Sequence, residues 1–185
     1  MTIKQELFDK GVKQVTHFCE INTLNIPKIT SIGKDHRSSK VKACAWYVSN
    51  SITIKIWACA GIGRGGPAWS YPGYVIDRTP YGVLAHELGH YVDEIVASCK
   101  SKSLRKRTGE EKLTNYCPND SEWFAEIFRL FVTNPNLLSK LRPKIYEELI
   151  SRFNIIEDRS WEEVLIDAPL RTINQACKKI NSILS

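Results

Sequence analysis

Only four histidines, His17, His36, His86 and His90, occur among the 185 residues. No apolar run reaches the roughly 20 residues that a membrane-spanning helix needs, so no membrane partner is expected. The six cysteines, Cys19, Cys44, Cys59, Cys99, Cys117 and Cys177, include no CxxC pair. That excludes the zinc ribbons and thioredoxin-like motifs that depend on this spacing. Without a dense framework they read as mostly buried thiols of a reducing compartment. The first residues, Met1 to Leu7, mix charged and apolar side chains where a signal peptide would carry an apolar stretch, so a cytoplasmic location is expected. Hydrophobic residues make up 43%, enough for one domain over 1–185 whose core buries about 70% of the unfolded surface. The net charge of +6 is local: Lys100, Lys102, Arg105, Lys106 and Arg107 carry five charges, and the remainder is near neutral at +1. This segment, 100–107, reads as a solvated end of the preceding helix; binding to nucleic acid is the second reading.

The stretch that is present and carries chemistry is His86-Glu87-Leu88-Gly89-His90. On a helix, HExxH turns two imidazoles one turn apart toward a single metal ion and sets the glutamate beside them as a base for metal-bound water. The flanks predict that helix. Thr79-Pro80 is a start signal, and Tyr81, Leu84, Ala85, Leu88, Val92, Ile95 and Val96 recur at helical spacing. Tyr74 to Asp77 reads as a short strand feeding it, placed to pair with an extended peptide.

Two histidines leave a zinc site incomplete, and no histidine follows position 90. HExxHxxGxxH would need histidine at Val96 and glycine at Asp93, so the metzincin arrangement is excluded. A carboxylate, a thiolate or a tyrosine must serve. Pro118, Asn119 and Asp120 predict the start of a second helix running toward Asn134-Pro135. On it Glu122 and Glu126 share a face one turn apart, with small Ala125 beside them to admit a neighbouring helix. Two carboxylates among Trp123, Phe124, Ile127, Phe128 and Phe131 are costly unless partnered. A metal ion and the N–H of a ligand imidazole would supply both partners, one per glutamate. An exposed stripe paired with Arg129 is the alternative. Cys117 is a second candidate thiolate or redox group. Asp93 either accepts from an imidazole or is a solvated helix residue.

HELGHYVD followed by LTNY and SEWFAEIFRLF resembles the protease domain of anthrax lethal factor and its phage-encoded and bacterial relatives, the gluzincins, over about positions 74–150. The resemblance implies a zincin-like α+β fold, with a small sheet on the HExxH helix and a helical C-terminal part. It also implies Zn2+ held by His86, His90 and Glu122, with Glu126 behind a ligand histidine and Tyr116 as the active-site tyrosine. The stretch between Tyr116 and Glu122 is shorter than that family's. The implied activity is peptide-bond hydrolysis on a peptide or protein substrate, with Glu87 activating zinc-bound water and Tyr116 stabilising the oxyanion. A phage origin would place it in the host cytoplasm. An inactive zincin-fold protein, using zinc structurally and the basic segment for DNA or another partner, is the alternative function.

Elsewhere, Ile3, Leu7, Val12, Val15, Phe18 and Cys19 predict an amphipathic first helix ending before Pro27. Val41 to Tyr47 and Ile52 to Trp57 predict two strands joined by the Val48-Ser49-Asn50-Ser51 turn. Gly61 to Gly66 matches GxGxxG, but Pro67 to Pro72 follows where a dinucleotide fold needs a helix. A cleft loop offering Trp69 and Tyr71 is expected instead. Pro143 opens a helix through Phe153, Ser160 to Glu163 has capping-box spacing, and Ile173, Cys177, Ile180 and Leu184 mark a last amphipathic segment.

Overall fold

Six α-helices and a three-stranded mixed sheet are formed by residues 1–61, 77–98, 100–114 and 116–157, the residues described in this computed structural model. The class is α+β, as expected. Helix α1, Ile3–Ile21, starts at Thr2, whose hydroxyl accepts from the Gln5 N–H (3.3 Å). It buries Leu7, Val15, Phe18 and Cys19 along one stripe, while Ile3 stays exposed.

The sheet has the order β1-β3-β2, with β1 Lys28–Ser31 parallel to β3 Ser51–Ile54 and β2 Ala45–Val48 antiparallel to it. Ser49 and Asn50 both adopt positive φ (47° and 61°), the tight turn whose twist matches a two-stranded hairpin. The turn therefore sits where it was expected. The strands are shorter than Val41–Tyr47 and Ile52–Trp57. Buried Lys55 sends its Nζ to the carbonyls of Ser39 (3.4 Å) and Val41, which holds the chain before Cys44 as a loop. After Ile54 the backbone tightens into a 3-10 turn at Ile56–Ala58.

Helix α2, Pro80–Ile95, carries HELGH. Thr79 is extended at its N-cap and Pro80 opens it, but the capping bond comes from Asp77, whose Oδ1 accepts from the Thr79 N–H (2.8 Å). Tyr81, Leu84, Ala85, Leu88, Tyr91 and Val92 are fully buried, a wider face than a single seam, and only Ile95 of the expected stripe is largely exposed (49%). Helix α3, Ser101–Thr108, is the basic segment. It is a helix of its own, not the end of α2, and Gly109 closes it in the left-handed conformation (φ 65°).

Helix α4, Asp120–Thr133, begins where Asn119 accepts from the Glu122 N–H (2.9 Å). It crosses α2 at Gly89, where an added Cβ would stand 2.8 Å from the Ala125 Cα and 3.0 Å from the Phe128 Cβ. The small pair Gly89 and Ala125 thus lets the two site-bearing helices touch. On another face α2 meets α1 at Gly11, and Phe18 stacks edge-on to Phe128 (5.5 Å) where the three helices converge. Helices α5, Pro135–Leu141, and α6, Pro143–Glu147, follow, and α6 continues as a wider π-helical turn, Glu148–Arg152, close to the predicted end. No helix among the described residues is long and apolar enough to cross a membrane. The predicted strand residues 74–76, the glycine-rich loop from 62 with Trp69 and Tyr71, the capping box at 160–163 and the final segment lie outside the described residues. Asp77 lies in no strand.

Candidate metal centre

Helical spacing brings His86 and His90 to one side of α2, and the close crossing at Gly89 lets α4 deliver Glu122 to them. The Glu122 Oε2 lies 3.0 Å from the His86 Nε2 and 3.5 Å from the His90 Nε2. One donor atom from each of the three residues falls within 4.8 Å of the others, so His86, His90 and Glu122 form a group that could hold a metal ion. His17 lies in α1, and the His36 Nδ1 caps a 3-10 turn by accepting from the Ser38 N–H (3.1 Å); neither joins the group.

The partners of His86 sharpen this. Its Nδ1 lies 2.7 Å from the Glu126 Oε1 and 2.9 Å from the Arg129 guanidinium; a proton on Nδ1 would be donated to Glu126, since a carboxylate can only accept, whereas the guanidinium can only donate and would need a lone pair there. With the proton on Nδ1, the Nε2 lone pair faces the Glu122 carboxylate. Two acceptors so placed, 3.0 Å apart, are an arrangement that a cation can bridge, whereas a proton on Nε2 would be donated to Glu122 directly.

Glu126 is almost wholly buried, yet its charge is well matched. Besides His86 it accepts from the Thr114 hydroxyl (2.5 Å), pairs with Arg78 (3.4 Å) and pairs with Arg129 one turn along α4. Arg129, also buried, anchors in turn on the Asp77 carbonyl (3.1 Å). A single carboxylate thus joins α2, α4, the start of α2 and the 113–114 segment beneath the metal group. From sequence, Arg129 pairs only with an exposed carboxylate stripe, and no local pattern marks Arg78 or Thr114.

His90 has a lighter support: its Nδ1 lies 3.0 Å from the Ser121 hydroxyl. Ser121 carried no sequence signal beyond its place before Glu122. Asp93 does not support an imidazole among the described residues. It is buried, contrary to a solvated position, and burial raises its pKa against the opposing influence of Ser101, at the start of α3, and of His90. Cys117 also stays outside the group, its thiol 3.8 Å from the Asn119 carbonyl and its pKa pushed up by burial.

A cleft of about 360 Å3 opens over the group, lined by His86, Glu87, His90 and Glu122, by Tyr116 on one side and by Ala45, Trp46 and Tyr47 of β2 on another. Burial raises the Glu87 pKa, partly countered by the imidazoles, which favours proton uptake by this carboxylate. Burial also opposes the charge on Glu122, but the hydrogen bonds and proximity of His86 and His90 outweigh it and hold the carboxyl well below its usual range. The Tyr116 ring stands 6.0 Å from that of His86, under the Arg78 guanidinium. Burial, then the charges of Glu122 and Glu87, raise its pKa, so its hydroxyl stays a donor at neutral pH. The shorter stretch before Glu122 therefore does not keep Tyr116 from the cleft. The basic helix lies apart from the cleft lining, with Arg105 paired to Asp120 (2.9 Å) and Arg107 forked onto Glu148 (2.7 and 2.8 Å). Comparison with protein-family models, with curated proteins and with solved structures finds no match to this chain.

Proposed function

We propose that this protein is a zinc-dependent endopeptidase of the gluzincin type, resembling the lethal factor protease domain. The observation that carries the reading is the convergence of His86, His90 and Glu122 in an open cleft that also contains Glu87. Two imidazoles and one carboxylate are a catalytic zinc donor set, and tetrahedral bonds of about 2.0–2.1 Å would separate ligand atoms by about 3.3 Å. The separations of 3.0 and 3.5 Å to Glu122 bracket that value. Glu126 on the far nitrogen of His86 is the carboxylate–histidine arrangement that orients zinc ligands.

Bound zinc would supply acidified water and a polarised substrate carbonyl. Glu87, buried and biased toward proton uptake, takes a proton on the cleft side and returns it to the leaving amine. Tyr116 donates its hydroxyl to the oxygen on which charge develops. A peptide would lie along the wall formed by Trp46 and Tyr47. A metal used only structurally has no need of a base beside an open cleft, which disfavours the binding-protein alternative.

The test is N-terminal proteomics of cells expressing the wild type or Glu87→Ala. New protein termini that appear with the wild type and vanish with the variant support the peptidase; identical termini in both overturn it.

A further inference from the structure

We propose that Cys44 and Cys59 are a reversible dithiol/disulfide site, oxidised by small disulfides of the oxidised-glutathione class. The backbone brings the two residues to the same place, on either side of Lys55. Cys44 precedes β2, and its carbonyl accepts from the Lys55 N–H (2.7 Å), extending the β2–β3 ladder by one pair. After β3 the turn at Ile56–Ala58 carries the chain back over the same lysine, leaving the Cys59 sulphur 3.5 Å from the Lys55 carbonyl oxygen. Both cysteines thus flank Lys55, and each thiol is the largest influence on the ionisation of the other.

The two differ in the way a thiol exchange needs. Cys44 is partly exposed and Cys59 is buried. The neighbouring Cys59 thiol favours a thiolate at Cys44, against the effect of burial, while Cys44 and burial push the Cys59 thiol up. The Cys44 thiolate attacks one sulphur of the small disulfide, forming a mixed disulfide and releasing one thiolate. Cys59 loses its proton to solvent and attacks the Cys44 sulphur, releasing the second. Two protein thiols are oxidised as one small disulfide is reduced to two thiols.

The bond would close a loop around the β2–β3 hairpin. Ala43 and Ala45, on either side of Cys44, line the cleft, and the Ala60 N–H beyond Cys59 donates to the carbonyl of Arg78 (3.0 Å), the partner of Glu126. Oxidation therefore pins the sheet wall of the cleft to the residues beneath His86. Cys117, the candidate by sequence, has no such neighbouring thiol among the described residues.

The experiment incubates the full chain with oxidised and reduced glutathione in varied ratio, quenches with acid, alkylates the denatured protein and maps its peptides by mass. The expected product is a Cys44–Cys59 linked peptide with two thiols lost, reversed by dithiothreitol. Its melting temperature should rise by about 5–10 °C, from closure of a loop of this length. In Cys59→Ser the glutathione should remain trapped on Cys44. Full alkylation of Cys44 and Cys59 while other cysteines react, or a wild-type Cys44 adduct that Cys59 never displaces, overturns the proposal. The mass readout needs neither metal nor peptidase activity, so it stands or falls apart from the proposed function.

Discussion

His86 and His90 sit one turn apart on the same helix, yet their supports differ in kind. Behind His86 lies a buried carboxylate, Glu126, balanced by Arg78, Arg129 and Thr114. Behind His90 lies one hydroxyl, that of Ser121, near the cleft mouth. A buried charge is tolerated only when it is balanced, so the inner support is rigid and intolerant of change, because removing Glu126 leaves the buried Arg129 charge without its carboxylate. A hydroxyl can donate or accept, and water can replace it, so the outer support is adaptable.

The contrast breaks most visibly at Glu126. Glu126→Ala should lower stability by about 3–5 kcal/mol, since it removes the carboxylate paired with buried Arg129 and partly buried Arg78, and weaken metal binding by about 10–100-fold. Denaturant unfolding and metal titration measure the two effects, and a loss under 1 kcal/mol would mean that the inner network is not a coupled unit. Next comes the crossing that lets α4 reach α2. Gly89→Ala forces a methyl to within 2.8 Å of the Ala125 backbone and should cost about 1–3 kcal/mol by thermal melting. Unchanged melting would show that the helices can part without cost. Ser121→Ala should alter stability by at most about 0.5 kcal/mol and metal affinity by less than about tenfold. An effect as large as that of Glu126→Ala would erase the distinction between the two histidines.

The smallest effect belongs to the exposed ion pair of α3, the surface counterpart of the buried network. The Arg107 fork holds the Glu148 carboxyl below its usual value of 4.5, with slight opposition from burial. The folded state therefore binds that proton less readily than the unfolded chain. Its stabilisation is present above about pH 4.5 and fades as pH falls through the lower folded-state value. Arg107→Ala should remove about 0.5 kcal/mol at neutral pH and less in acid, as befits a solvent-screened pair. Equal loss at pH 7 and pH 3 would exclude this pairing as the cause.

Local signals made α2 and α4 legible: Thr79-Pro80, the Asn119 cap, and the one-turn spacing of His86 with His90 and of Glu122 with Glu126. Even the small residue at Ala125 announced the crossing. What escaped depends on tertiary contact. Strand β1 is only four residues, and its parallel pairing with β3 leaves no local mark beyond Ile29 and Thr30. Arg78, Arg129, Thr114 and Ser121 act through side chains brought from separate elements, so no spacing rule reveals them. Asp93 occupies the helix face expected of an imidazole partner, yet it is buried near Ser101 at the start of α3, a helix whose basic residues look from sequence like the tail of α2.

The division of labour between the two glutamates of α4 is the central claim, and zinc stoichiometry of purified Glu122→Ala and Glu126→Ala, measured after equilibration with limiting zinc, tests it most directly. Glu122→Ala should lose nearly all bound zinc, while Glu126→Ala should retain a substantial fraction at lower affinity. The reverse order would show that Glu126 is the ligand and Glu122 the support, and full occupancy in both would remove zinc from this site.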